Sequence, residues 1–172
     1  MLSSLVGIIL AAGSCPGAVA IAEEKTYQLD PANCAGFAAK DAAPFLGVPA
    51  EKITRTTSKV HATLWTCTFS GGQPNKSIVF SIEVAKSAKA AAADMERYRE
   101  NLEITAETAP FKNKLPKGAW SDILGDGLGD ETVWTDVNST FTARKGNITV
   151  QVSMPADKIA KINVGKAVLS KF

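Results

Sequence analysis

The sequence predicts an α+β fold: an antiparallel sheet of about five strands packed against two or three helices. Three observations predict it. Short stretches alternate apolar and polar residues, as Ile78, Phe80, Ile82 and Val84 do with Val79, Ser81 and Glu83, which is the period of a strand with one buried face. Turn clusters of only a few residues separate several of these stretches, which implies hairpins rather than parallel crossovers. Other segments carry apolar residues at spacings of three and four, and a helix with one apolar stripe must bury it on a sheet face.

The elements follow in order helix, strand, strand, helix, strand, strand, strand, helix. Asp30 caps a helix with Pro31 at its first position, and Cys34, Phe37, Ala38, Ala42 and Phe45 keep helical spacing until Gly47 and Pro49, so a helix is expected over 31–46. Residues 60–69 are β-branched and aromatic, with Trp65, Cys67 and Phe69 on one face and Leu64, Thr66 and Thr68 on the other. The cluster Ser70-Gly71-Gly72-Gln73-Pro74-Asn75 turns that strand into the next, at 78–84. Ser87 caps the most regular helix, whose stripe is Ala88, Ala91, Ala92, Met95, Tyr98 and Leu102, with Asp94, Glu96, Arg97 and Glu100 opposite. After a long irregular stretch come strands at 131–137, 140–145 and 148–154, divided by Asn138-Ser139 and Gly146-Asn147. Pro155 opens a last helix ending near Phe172, with Gly165 as its weak point. A hairpin followed by a helix thus occurs twice, over 60–102 and 131–172, a pseudo-repeat of pattern rather than of residues.

Residues 1–22 read as a secretory signal peptide. Leu5, Val6, Ile8, Ile9 and Leu10 form an apolar stretch without a single charged residue, and two small-x-small sites, Ala18-Val19-Ala20 and Ala20-Ile21-Ala22, follow it. The apolar run ends by Gly13, short of the roughly 20 residues that span a bilayer, so residues 23–172 are expected as one exported α+β domain without a transmembrane segment. Cys15, after Ala12-Gly13-Ser14, offers a second route, lipidation at a bacterial lipobox, although Ala12 stands where that motif has Leu. Both routes lead to the periplasm or cell surface.

Export changes the reading of the other two cysteines. In an oxidising compartment Cys34 and Cys67 are an even pair with one possible connectivity, and the loop they close is worth roughly 3–4 kcal/mol in the chain-entropy model. The competing readings are metal ligation and a catalytic thiol. A zinc site wants four N or S ligands, against two cysteines and one histidine here, and neither Cys lies in a CxxC.

A series of short motifs runs through the chain: Asp30-Pro31 before Cys34, Phe45-Leu46-Gly47, Trp65-Thr66-Cys67-Thr68-Phe69, Gly127-Leu128-Gly129-Asp130-Glu131, and Lys145-Gly146-Asn147 before a strand and terminal helix. In this order they resemble small bacterial cell-envelope lipoproteins of unknown function and the related extracellular sensor domain of a bacterial serine/threonine kinase. The resemblance implies a disulfide-bearing, non-catalytic α+β module outside the cytoplasm. It carries over no active residues.

Composition narrows function by exclusion. Of 172 residues 45% are apolar, 21% charged and 7% aromatic, ordinary globular values that exclude collagen-like and disordered chains. With a net charge of +2, a pI near 8.4 and no run of five like charges, nucleic acid is not an expected partner. The single histidine, His61, falls in or beside a strand, which argues against a nucleophile–histidine pair, and no Gly-x-Ser-x-Gly, His-Glu-x-x-His or phosphate-binding glycine loop occurs. Cofactor and metal are both expected to be absent.

Two places remain for chemistry. Asp122, Asp126, Asp130 and Glu131 read as a glycine-rich turn feeding a strand; the alternatives are calcium ligands, for which the spacing fits no EF-hand, or paired carboxylates Asp122, Asp126 and Asp130 of an envelope hydrolase. The long stretch 103–129 carries Phe111, Lys112, Lys114, Leu115, Lys117 and Trp120, apolar anchors among cations that suit an envelope protein or an anionic glycan. The plainer reading tucks Phe111 and Trp120 into the core. The expected function is an exported, non-catalytic binding or accessory module of the bacterial cell envelope, with the carboxylate hydrolase as the alternative.

Overall fold

A computed structural model describes residues 25–73, 75–108 and 119–172. The predicted leader, with Cys15, lies outside the described residues, as do Phe111, Lys112, Lys114, Leu115 and Lys117.

The chain runs through two three-stranded meanders, each followed by a helix. β1 (Thr54–Lys59), β2 (Leu64–Ser70) and β3 (Ser77–Val84) lead into α2 (Ala88–Ala106); β4 (Glu131–Thr135), β5 (Thr140–Lys145) and β6 (Ile148–Val152) lead into α3 (Lys158–Leu169). A shorter helix, α1 (Ala39–Leu46), precedes them. All neighbours are antiparallel, in the order β1-β2-β3-β6-β5-β4, so the two meanders join where β3 meets β6 at Phe80↔Val152, Ser81↔Gln151 and Ile82↔Val150. The α+β class stands, with six strands rather than five. The additional strand, β1, is a sheet edge written TRTTSK, nearly exposed along its whole length, so no apolar alternation marks it. The strand expected from residue 60 begins at Leu64, because Val60 and His61 turn the chain between β1 and β2.

Alternation across the strands creates two unlike faces. Cys67, Phe69, Ile78, Phe80, Ile82, Phe141, Ala143, Val150 and Val152 are fully buried on one of them, under the N-terminal segment and α3. Phe37 inserts between Phe69 and Phe80, with ring centroids 5.2 and 5.3 Å away and near-perpendicular planes. The opposite face carries the intervening positions, and α2 lies over its β5–β6 half. Gln151 of that face meets Tyr98 of α2, whereas Phe141, one residue before Thr142, packs on Gly165 of α3. The two helices therefore cover opposite sides of one sheet.

The helix expected over 31–46 is broken in two. Asp30 caps its start as anticipated, accepting from the Ala32 amide at 3.0 Å, but Pro31–Gly36 is a 3-10 segment and α1 begins only at Ala39. Cys34, Ala35 and Gly36 all take positive φ, which turns Cys34 to Cys67 and delivers Phe37 to the core. The cysteine sulfurs are 2.20 Å apart, so the expected disulfide is present and fully buried. The last helix starts at Lys158 rather than at Pro155, because the Asp157 carboxylate accepts from the Ala160 amide at 2.8 Å and so supplies the cap.

Candidate functional site

The carboxylate run is positioned by backbone pairing. Ser121 and Trp134 exchange amide bonds of 2.9 and 2.8 Å, and Ile123 is tied through its amide and carbonyl to the Thr132 hydroxyl, so 121–123 lie along the outer edge of β4. Gly129, at φ +88°, passes so close to the Arg144 carbonyl that a side chain there would collide with it. Two arginines then take up three of the acids. Glu131 receives Arg144 Nη2 at 2.7 Å and Arg99 Nη1 at 3.0 Å; Asp130 receives Arg144 Nη1 at 3.1 Å and the Gly146 amide at 2.7 Å; Asp122 lies 3.6 Å from Arg99 Nη2. Asp126 is exposed at the loop tip. The arrangement offers paired charges that hold α2, β4 and β5 to the loop, beside a cavity of about 220 Å³.

Trp120 is laid against α2. Its indole N–H donates to Glu103 at 3.1 Å, the Arg99 guanidinium sits 5.1 Å over its ring, and it packs on the small cluster of Met95, Leu102, Ala119 and Val133. His61 is exposed in the β1–β2 turn, with Nδ1 near the Thr63 hydroxyl. Among the described residues no group of three or more His, Cys, Asp or Glu side chains is placed to hold a metal ion, and no helix is long and apolar enough to cross a membrane.

The second site was not singled out by sequence reading. Beside α2 the half-covered sheet face opens into a groove of about 270 Å³. Its floor is a mostly polar lattice of side chains in register across four strands: Ser81, Gln151 and Thr142 form one row, flanked by Thr66, and Leu64, Glu83 and Thr149 the next. Asp94, Met95 and Tyr98 of α2 form its wall. The Thr66 and Ser81 hydroxyls are 3.1 Å apart, and Gln151 Nε2 donates to Tyr98 Oη at 3.2 Å and to Thr142 Oγ1 at 3.4 Å. A further cavity of about 460 Å³ shares Glu83 and Asp94 with the groove and continues it toward Thr63, Lys86 and Arg97. Single-strand alternation marks these positions only as a polar face. They become a site when the β3–β6 pairing sets Ser81 beside Gln151.

One buried cation lies elsewhere. Lys161 of α3 donates to the Ser139 carbonyl and sits 5.6 Å from the Trp134 ring; burial pushes its ammonium below the usual lysine range, and Asp157 opposes that shift. Comparison with known proteins gave no match to a family model, a curated protein or a solved structure.

Proposed function

We propose that this chain is an exported, non-catalytic binding module of the bacterial cell envelope that takes its ligand in the groove between α2 and the polar sheet face. The observation that carries the reading is the groove itself, whose polar side chains line a cavity beside α2, as in pre-formed ligand sites. A buried disulfide suits an oxidising compartment, and the apolar leader supplies the route there. The resemblance to envelope lipoproteins points the same way. A carboxylate hydrolase needs one free acid and one free base, and here arginines engage Asp122, Asp130 and Glu131.

Fractionation of the producing cell, with the intact mass of the recovered protein, tests export: the expected species lacks residues 1–22, or begins at a diacylated Cys15. Incubation with purified envelope polymers tests binding without turnover. Retention with no release of soluble fragments is expected. Fragment release that disappears in Asp122→Asn or Asp130→Asn would replace this reading with the hydrolase.

A further inference from the structure

We infer that the groove recognises a neutral sugar ring, and that its continuation past Glu83 and Asp94 receives a second ring of the same glycan. This rests on the groove being the binding site. About 270 Å³ is below the usual range for drug-sized ligands and suits a single pyranose. The chemistry of the walls selects among ligands of that size. A sugar hydroxyl both donates and accepts, and the floor presents both functions side by side. Gln151 spends its amide N–H groups on Tyr98 and Thr142, which leaves its Oε1 as an acceptor and the Tyr98 hydroxyl hydrogen as a donor. Among the described residues the Thr149 hydroxyl has no hydrogen-bond partner, and it faces the same space.

Charge excludes the competitors. Among the described residues no lysine, arginine or histidine lines the first cavity, so an anion finds no cationic partner there; Glu83 stands at its junction with the second, where Lys86 lies and Arg97 is engaged by Asp94. Asp94 is already bound by Arg97, and among the described residues that line the groove only Tyr98 carries an aromatic ring, which falls short of the aromatic cage that holds an ammonium ligand. Carboxylates beside hydroxyls and an amide bind vicinal diols well, and Leu64 and Met95 give the C–H face of a ring apolar contact.

The test is a ¹H–¹⁵N chemical-shift titration of the oxidised, exported protein. The probes are methyl α-glucoside, methyl α-mannoside, N-acetylglucosamine and cellobiose, with choline and glucose 6-phosphate as the charged controls. Saturable shifts centred on Ser81, Thr149, Gln151 and Tyr98 with at least one neutral sugar are expected. Thr149→Val and Gln151→Met should each weaken that binding about tenfold while the thermal midpoint moves by less than about 3 °C. Thr149→Val keeps the shape of the side chain and decides the matter alone should Gln151→Met unfold. Absence of saturable groove shifts with every neutral sugar up to about 50 mM, far above the ~1 mM that marks weak binding, overturns the inference. So do groove shifts produced only by choline or by the phosphate. Export and polymer retention are measured without these sugars, so their success beside a failed titration would leave the binding module standing and remove only its sugar specificity.

Discussion

Asp41 is held by two donors from opposite ends of the chain. Its Oδ2 accepts from the Ala38 amide at 2.8 Å, closing the first turn of α1, and its Oδ1 receives the Lys171 ammonium at 2.8 Å. Burial alone would raise its pKa, but the Lys171 bond and the Ala38 amide outweigh it, and the carboxyl lies below its ordinary value. A depressed carboxyl stabilises the fold above its unfolded pKa of about 3.9, and the contribution is lost as pH falls through the folded value. Asp41→Asn should therefore cost about 1–2 kcal/mol at pH 7 and progressively less as pH falls below about 3.9, as urea unfolding across that range will read. Lys161 has the opposite slope. Its pKa is lowered by burial, so the unfolded chain binds the extra proton, and wild type should gain stability relative to Lys161→Met as pH rises toward the ordinary lysine value of about 10.5. Equal pH slopes for the two proteins would refute this. Trp120→Ala removes a ring that bonds Glu103 and carries Arg99, and its thermal midpoint should fall by an amount equivalent to about 1–3 kcal/mol.

At the scale of elements, Gly165 separates propensity from packing. Alanine is the better helix former by about 1 kcal/mol, yet a methyl group at this position of α3 would strike the Phe141 ring. Gly165→Ala should destabilise by more than about 1 kcal/mol, read from chemical denaturation, and a stabilised variant would show that Phe141 gives way freely. The same competition explains what could be read in advance. β3, β6 and α2 were legible because each buries one side and leaves the other more open, so period alone marks them. β1 was not, since an edge strand of Thr, Arg, Ser and Lys has no side to hide. The break in 31–46 was invisible because Cys34, Phe37 and Ala42 keep helical spacing through it; only the demand that Cys34 reach Cys67 opens the helix. The acidic run was plain in the sequence, but its partners Arg99 and Arg144 come from α2 and β5. The groove was hidden more deeply, because its floor is written in the polar positions of four strands.

Across the whole molecule, the disulfide fastens the N-terminal segment over the core face of the first meander. Cys67→Ser should lose about 2–5 kcal/mol, measured as the shift of the denaturation midpoint under oxidising conditions, while reductant should leave the variant's own midpoint unchanged. An unshifted midpoint in the variant would mean that the packing of Phe37 against Phe69 and Phe80 holds the segment without the covalent link.

The seam between β3 and β6 governs the order in which the chain acquires its structure. Each meander pairs strands close in sequence and can zip up rapidly by itself, whereas Phe80 and Val152 must find each other across about 70 intervening residues, a search whose loop-closure entropy is paid before any contact rewards it. Ser81 belongs to one meander and Gln151 to the other, so neither folded half holds the two-sided floor of the groove. On the proposed reading, ligand capture becomes possible only at the last step of maturation, and a chain arrested with its halves unjoined would carry most of the native secondary structure and lack the assembled groove.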